Sequence, residues 1–173
     1  EESVPILTKV IQDVSQEPIV RHEAAEALGA IGSLEAVEAL KCYLNDSASE
    51  VSDTCEIALD CLKWTSDSGN KINVESASNL FNSVDPAPPA NCSDVNTLRN
   101  ILLDENEKLF ERYRAMFALR NIHSKDAVLA LCTALNCNNP LFKHEVAFVL
   151  GQLKDDSSIP YLQHSLENEN EHE

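Results

Sequence analysis

The sequence predicts an all-α fold, an α-solenoid of helical hairpins arranged in two pseudo-symmetric halves. Three observations support this prediction. Aromatic residues make up 5% of the chain and glycines number only four, so the composition favours helix over sheet. A ten-residue apolar pattern occurs four times at regular spacing. A stretch rich in Ser, Asn, Asp and Pro separates the first two copies from the last two.

The four copies of the pattern begin at His22, Asp53, Tyr113 and His144. Each has Leu at its seventh position and Leu or Ile at its tenth. The starting positions are 31, 60 and 31 residues apart. A period of about 31 with one double-length gap is typical of stacked helical hairpins.

A second helix is predicted after three of the copies, at residues 33–44, 124–135 and 156–166. Ser or Asp at the start of each supplies a helix N-cap, and Pro160 suits a first helical turn. Each predicted pair of antiparallel helices resembles a HEAT-like repeat.

The polar and proline-rich run at residues 65–94 is predicted to be a linker, because it cannot hold a continuous helix. It divides the chain into an N-terminal half at 1–64 and a C-terminal half at 95–173. The run 3–7 matches the run 158–162, an offset of 155 residues. Applied to His22, this offset reaches position 177, just past the last residue. We therefore expect the sequence to be part of a longer repeat array.

The charge balance limits the possible partners. Thirteen basic residues against 29 acidic residues give a net charge of −16, which disfavours nucleic acid and favours metal ions or a basic protein segment. No apolar stretch approaches the ~20 residues that span a bilayer. The six cysteines form no C-x-x-C pair, which suits reduced thiols in a cytoplasmic protein.

Two His-Glu pairs, His22-Glu23 and His144-Glu145, are the candidate metal ligands. They stand at the same phase of the repeat, whereas the copies at 53 and 113 lack the pair, so packing does not require it. An apolar stripe on each helix is expected to face the neighbouring repeat, so that both His-Glu pairs project in the same way. The first stripe comprises Val20, Ala24, Leu28 and Ile31, and the second comprises Phe142, Val146, Leu150 and Leu153. Imidazole and carboxylate ligands suit iron, manganese or zinc, and two helices that each offer such a pair could hold a dinuclear centre.

Three further residues are candidates for binding a substrate. Glu26 lies one helical turn after His22 and shares its face. Gly29 and Gly151 occupy one matched position of the repeat, although Gly within a helix costs about 1 kcal/mol relative to Ala. Close approach of a substrate to the backbone would explain these glycines, and tight helix packing would explain them equally well.

Four segments together carry a resemblance to a known family; they are residues 20–32, 83–89, 110–121 and 142–152. In this order they resemble the deoxyhypusine hydroxylase family. The resemblance implies a HEAT-repeat monooxygenase that uses two Fe(2+) ions and O₂. It implies hydroxylation of the deoxyhypusine residue of translation factor five-A to form hypusine.

That family carries four His-Glu motifs, two in each half. His22-Glu23 resembles the second motif and His144-Glu145 the third. A chain with only these two is expected to be inactive by itself. The resemblance also implies that Glu26 and Glu145 align the cationic amines of the substrate.

Two other interpretations stay open at this stage. A non-catalytic HEAT-like scaffold that binds protein partners would explain the repeats, but not the restriction of the His-Glu pairs to two copies. A protein similar to the HEAT-like bilin lyases would share the repeat style without needing paired iron ligands.

Overall fold

The computed structural model describes residues 2–67, 81 and 83–168, and all its regular elements in these residues are helical. The helices are α1 Val4–Gln12, α2 Pro18–Ile31, α3 Leu34–Cys42, α4 Ser49–Asp67, α5 Val95–Leu103, α6 Leu109–Ile122, α7 Lys125–Ala134, α8 Pro140–Leu153 and α9 Ile159–Leu166. A short 3-10 helix, Asp156–Ser158, precedes α9. The predicted all-α class is therefore confirmed. Over the same residues, none of the helices has the length and apolar character needed to cross a bilayer.

The chain divides into two units, Glu1–Ala87 and Pro88–Glu173. Unit 1 contains α1 to α4, and unit 2 contains α5 to α9. The division falls inside the run 65–94 that was predicted to be a linker. Helix α4 continues to Asp67, and residues 68–80 and 82 of that run lie outside the described part of the chain.

Unit 1 is two antiparallel hairpins in which α2 packs against both α1 and α4. Ile11, Leu28, Leu40 and Val51 are fully buried in its core. Burial of an aliphatic side chain of this size contributes about 1.5–3 kcal/mol. These few apolar contacts hold α2, and hence its His-Glu pair, in a fixed position.

Local sequence signals set the turn between α2 and α3. Gly32 ends α2 in the left-handed region, with φ of 60°, and its N–H donates to the carbonyl oxygen of Leu28. Ser33 then caps α3, because its side chain accepts a hydrogen bond from the Ala36 N–H. Ser124 caps α7 in the same way by accepting from the Ala127 N–H. The predicted caps at both positions are confirmed.

Unit 2 repeats the layout of unit 1. Each of α5 to α8 begins 91 residues after its counterpart among α1 to α4. Helix α9 begins at Ile159, which is 155 residues after the start of α1 at Val4 and agrees with the offset found in the sequence.

A buried arginine marks the second helix of each unit. The Nε of Arg21 donates to the carbonyl oxygen of Ile11 at 2.9 Å, and the Nε of Arg112 donates to that of Leu102 at 3.0 Å. Each bond joins an arginine to the end of the preceding helix, ten residues earlier. The same arginine-to-carbonyl hydrogen bond therefore joins the two helices of each of these hairpins.

One of the predicted stripes is partly wrong. Ala24 and Leu28 are buried, but Val20 and Ile31 are 42% and 39% exposed. Because α2 lies against α1 on one side and α4 on the other, its buried surface is shifted towards the arc that contains Arg21. The stripe in α8 is confirmed, since all four of its predicted residues are buried.

Candidate functional site

His22 lies in the second turn of α2, within the core of unit 1. The helix begins at Pro18, where the fixed φ of proline and its missing N–H suit a first helical position. One turn later the His22 side chain points inwards and is only 2% exposed. A histidine held this deeply has a fixed ring orientation and little access to water.

The Nδ1 side of the His22 ring meets helix α4. Nδ1 lies 2.8 Å from the hydroxyl oxygen of Thr54, 32 positions along the chain. That hydroxyl also donates to the carbonyl oxygen of Glu50 at 2.7 Å, one turn earlier in α4. Thr54 is itself only 5% exposed. The imidazole is therefore anchored through one nitrogen.

The Nε2 side of the ring faces carboxylates of its own helix. Nε2 lies 3.7 Å from Oε1 of Glu23, whose side chain is 66% exposed. A ring nitrogen of His22 and a carboxylate oxygen of Glu26 lie within 4.8 Å of each other. Unit 1 thus places an imidazole nitrogen beside two carboxyl groups.

Negative charge accumulates around Glu26. Burial raises the pKa of the Glu26 carboxyl, and the charges of Glu23 and Asp85 raise it further. Asp85 comes from the run predicted to be a linker, and it accepts a hydrogen bond from the Ser83 hydroxyl at 2.8 Å. A bound cation would relieve this repulsion.

The donor atoms around His22 fit iron. A buried imidazole with carboxylates beside it supplies the mixed N/O ligands that Fe(2+), Mn(2+) and Zn(2+) accept. The carboxyl groups of Glu23 and Glu26, with Asp85 acting on Glu26, would offset the positive charge of the ion. The hydrogen bond to Thr54 is the kind of outer contact that orients metal-binding histidines.

The second predicted pair lies near the start of α8 in unit 2. Asn139 caps this helix by accepting a hydrogen bond from the Phe142 N–H at 2.8 Å, and Pro140 opens it. His144 is exposed and Glu145 is half-buried. In unit 1, by contrast, the histidine is buried and the glutamate exposed, so the two pairs differ in burial although they share a phase of the repeat. Burial depends on what packs against each helix, which the phase of the repeat does not encode.

The two glycines differ in their surroundings. A Cβ atom built on Gly29 would lie 2.7 Å from the Cβ of Ala58, so close contact between α2 and α4 accounts for this glycine. A Cβ atom on Gly151 would meet no atom of the described chain within 4 Å. Packing against the described residues does not explain Gly151, and its role in substrate binding stays a prediction.

The copy of the repeat in α6 carries an aromatic residue where α2 carries His22. Tyr113 is buried, and its ring packs against the rings of Phe117 at 6.3 Å and Phe142 at 5.3 Å between centroids. The position can therefore serve as core, and histidine there is not required for folding.

The sequence does not predict Thr54 and Asp85 as neighbours of the site. Thr54 belongs to a copy that lacks the His-Glu pair, and Asp85 lies in the predicted linker. The single available signal was the helical spacing that places the polar Thr54 on one face of α4 with the apolar Val51 and Ala58. No local pattern points from either residue to Glu26 or His22.

Two of the buried cysteines are unsuited to this chemistry. Burial raises the pKa of the Cys55 thiol to about 12 and that of Cys132 to about 11, so both are protonated at neutral pH. These two thiols are neither nucleophiles nor ready metal ligands. The six cysteines, all within the described residues, form no disulfide; Cys42 is exposed and Cys92 in the linker is half-buried.

Comparison with known proteins agrees with this architecture. The family model for HEAT repeats matches residues 1–60 and 95–173. The chain is 49% identical over 171 residues to deoxyhypusine hydroxylase from Danio rerio, covering 99% of this chain and 56% of the relative. It is 52% identical over 160 residues to the Homo sapiens enzyme of that name, covering 92% and 52%.

A solved structure of human deoxyhypusine hydroxylase in complex with glycerol superposes with a TM-score of 0.92 at 48% identity, over 99% of this chain and 58% of that chain. The chain thus spans about half the length of the relatives it matches. The match of the repeat model to both units shows the family, and the identities near one half show a similarity to deoxyhypusine hydroxylases. The chain belongs to the HEAT-repeat family.

Proposed function

We propose that this chain is the part of a deoxyhypusine hydroxylase that supplies iron ligands from each of its two units. The reaction is O₂-dependent hydroxylation of the deoxyhypusine residue of translation factor five-A, which forms hypusine in the cytoplasm. His22 and Glu23 in unit 1 and His144 and Glu145 in unit 2 are the proposed ligands of a centre of two Fe(2+) ions. The relatives' name supports the reaction, and the setting of His22 supports the metal.

The observation that carries the proposal is a buried histidine with carboxylates beside it. A histidine that only filled space could be replaced by an aromatic residue, as it is by Tyr113 in the α6 copy. His22 instead has one nitrogen anchored on Thr54 and the other beside Glu23. Both ring nitrogens therefore face polar groups, as suits a metal ligand.

Iron is needed because hydroxylation of an unactivated C–H bond requires O₂ and electron transfer, which amino-acid side chains do not supply. One oxygen atom enters the C–H bond and the other leaves as water, with two electrons from an external reductant. The chain's own residues hold the metal, exclude water around His22 and orient the substrate. Burial of the imidazole also strengthens the electrostatic interactions at its Nε2.

The substrate side chain is cationic, since it carries amines that are protonated at neutral pH. Glu26 is half-buried in a negatively charged setting and is the proposed contact for one ammonium group through a charge-assisted hydrogen bond. Glu145 and Gly151 are the further residues proposed to bind the substrate, whereas the contact of Gly29 with Ala58 explains that glycine by packing. The net charge of −16 would speed the capture of a basic loop and disfavours nucleic acid as a partner.

The test uses the complete protein that contains this chain, purified without oxygen and loaded with Fe(2+). We expect His22→Asn to lose most of its iron, measured as iron per chain, and to stop adding oxygen to deoxyhypusine-bearing factor five-A, measured by mass spectrometry. His164→Asn is the matched control, because His164 is an exposed histidine of α9. Circular dichroism checks that both variants keep their helices.

One experimental outcome would favour a non-catalytic scaffold. A wild-type protein that takes up no iron, and binds its partner equally well before and after His22→Asn, would replace the hydroxylase by a HEAT-repeat binding module. Loss of helicity in His22→Asn with iron retained would make His22 a packing residue.

A further inference from the structure

We propose that Thr54 is a positioning residue that fixes the tautomer of His22, so that the hydrogen sits on Nδ1 and the Nε2 lone pair faces the metal. The part of this inference that concerns the metal rests on the proposed function. The part that concerns the tautomer rests only on contacts within unit 1.

The argument begins with the single hydrogen of the Thr54 hydroxyl. That hydroxyl lies 2.7 Å from the Glu50 carbonyl oxygen, which can only accept a hydrogen bond, so the hydroxyl hydrogen is used there. The same oxygen lies 2.8 Å from Nδ1 of His22. With its hydrogen already donated, the hydroxyl can only accept from Nδ1. A neutral His22 therefore carries its hydrogen on Nδ1.

Burial holds this hydrogen-bond arrangement in place. His22 is 2% exposed and Thr54 is 5% exposed, so water does not readily replace either partner. Leaving a buried ring N–H without an acceptor would cost about 1–3 kcal/mol. The two hydrogen bonds run in a single direction, from Nδ1–H of His22 to the Thr54 hydroxyl and from that hydroxyl to the Glu50 carbonyl oxygen.

Thr54 also opposes the effect of the carboxylates on the other side of the ring, which favour the opposite tautomer. Glu23 lies 3.7 Å from Nε2, and a carboxylate oxygen of Glu26 is also close to the ring. Because carboxylates accept hydrogen bonds, they favour a hydrogen on Nε2, which would block a metal there. The buried hydroxyl supplies the competing acceptor that keeps the hydrogen on Nδ1 instead of Nε2.

The position of Thr54 in the repeat strengthens the inference. Thr54 stands 91 residues before Glu145, the offset that relates α4 to α8. The copy in α4 thus has a hydroxyl where the copy in α8 has a proposed metal ligand. This copy contributes to the site through His22 rather than through a ligand of its own.

The experiment combines nitrogen NMR of the metal-free protein with metal titration. Long-range ¹H–¹⁵N spectra, recorded where the imidazole is neutral, report which ring nitrogen of His22 carries the hydrogen, with the His22→Asn spectrum giving the assignment. The variants are Thr54→Val, which has the same shape but lacks the hydroxyl, and Thr54→Ser, which keeps it. Thr65→Val is the matched control, because Thr65 makes the same i−4 bond in α4, to Cys61 at 2.8 Å.

We expect the Nδ1–H tautomer in the wild type, in Thr54→Ser and in Thr65→Val, and the Nε2–H tautomer in Thr54→Val. We expect the Fe(2+) affinity of Thr54→Val to fall about 10- to 100-fold, as for other outer-contact substitutions, and Thr54→Ser to recover most of it. An Nε2–H tautomer in the wild type, or an unchanged tautomer in Thr54→Val, would overturn the inference. A shifted tautomer with undiminished iron affinity would overturn its metal half. A wild type that binds no iron would instead refute the proposed function.

Discussion

Arg21 and Asp46 form a bidentate ion pair inside unit 1. Nη1 of Arg21 donates to Oδ1 of Asp46 at 3.0 Å, and Nη2 donates to Oδ2. The two side chains are only 4% and 8% exposed. Since Arg21 directly precedes His22, this pair fixes the helical turn that carries the proposed ligand.

Arg112, the counterpart of Arg21 in unit 2, lacks an aspartate partner at the matching position. Cys137 stands 91 residues after Asp46, and Nη2 of Arg112 has no hydrogen-bond partner among the residues that the structure describes. The Arg112 guanidinium lies over the ring of Phe142 instead, 4.3 Å from its centroid.

We predict that Asp46→Asn destabilises unit 1 strongly. Removing one partner leaves a buried guanidinium without its counter-charge, which costs about 3 kcal/mol or more. Urea unfolding followed by circular dichroism measures the loss. Glu38→Gln is the matched control, since its pair with Lys41 is exposed and contributes less than about 1 kcal/mol. Equal losses in the two variants would show that the buried pair contributes no more than a surface one.

The ion pair should also make stability depend on pH. Hydrogen bonds from Arg21 hold the pKa of the Asp46 carboxyl below its usual 3.8, against the opposing effect of burial. A carboxyl with a lowered folded-state pKa stabilises the protein above pH 3.8, and this contribution is lost as the pH falls through the lowered value. We therefore expect the stability gap between wild type and Asp46→Asn to be full at neutral pH and to shrink in acid. Unfolding curves across this range measure it, and a gap that stays constant would contradict the assignment.

The two matched glycines should respond in opposite directions to alanine. Gly29→Ala places a Cβ atom 2.7 Å from Ala58, so α2 and α4 must separate, at a cost of about 1–3 kcal/mol. Gly151→Ala meets no described atom within 4 Å, and the better helix propensity of alanine should stabilise α8 by up to about 1 kcal/mol. Thermal unfolding of both variants measures the difference.

The glycine pair also tests substrate binding. If Gly151 admits the substrate, Gly151→Ala will raise KM in the hydroxylation assay while raising the melting temperature. An unchanged KM would remove Gly151 from the proposed substrate site and leave its presence in α8 unexplained.

Glu26→Gln should stabilise the metal-free protein. Burial and the charges of Glu23 and Asp85 disfavour the ionised Glu26 carboxyl, so a neutral amide of the same shape relieves this penalty at neutral pH. The unfolding midpoint in urea should rise. In the iron-loaded protein we expect the iron content to persist and KM for the deoxyhypusine substrate to rise about 10-fold or more, because a charge-assisted hydrogen bond is lost. Loss of iron from this variant would make Glu26 a metal ligand instead of a substrate contact.

The sequence by itself determined the repeat and the class of the fold. The four copies beginning at His22, Asp53, Tyr113 and His144 all lie in helices, as helical periodicity predicted. Caps such as Ser33 were readable because a helix start depends on residues three positions apart. The histidines were found for the same reason, since their phase in the repeat is a local property.

Only the tertiary structure decided how deeply each side chain lies and what it meets. Periodicity gives an angle around a helix axis, but burial depends on which other helices pack there. His22 is therefore buried and His144 exposed, although both begin a copy of the same pattern. The contact between His22 and Thr54 joins residues 32 positions apart, and it exists because α2 packs on α4. Contacts between helices set the hydrogen-bonding state of the imidazole, and no spacing within one helix encodes them.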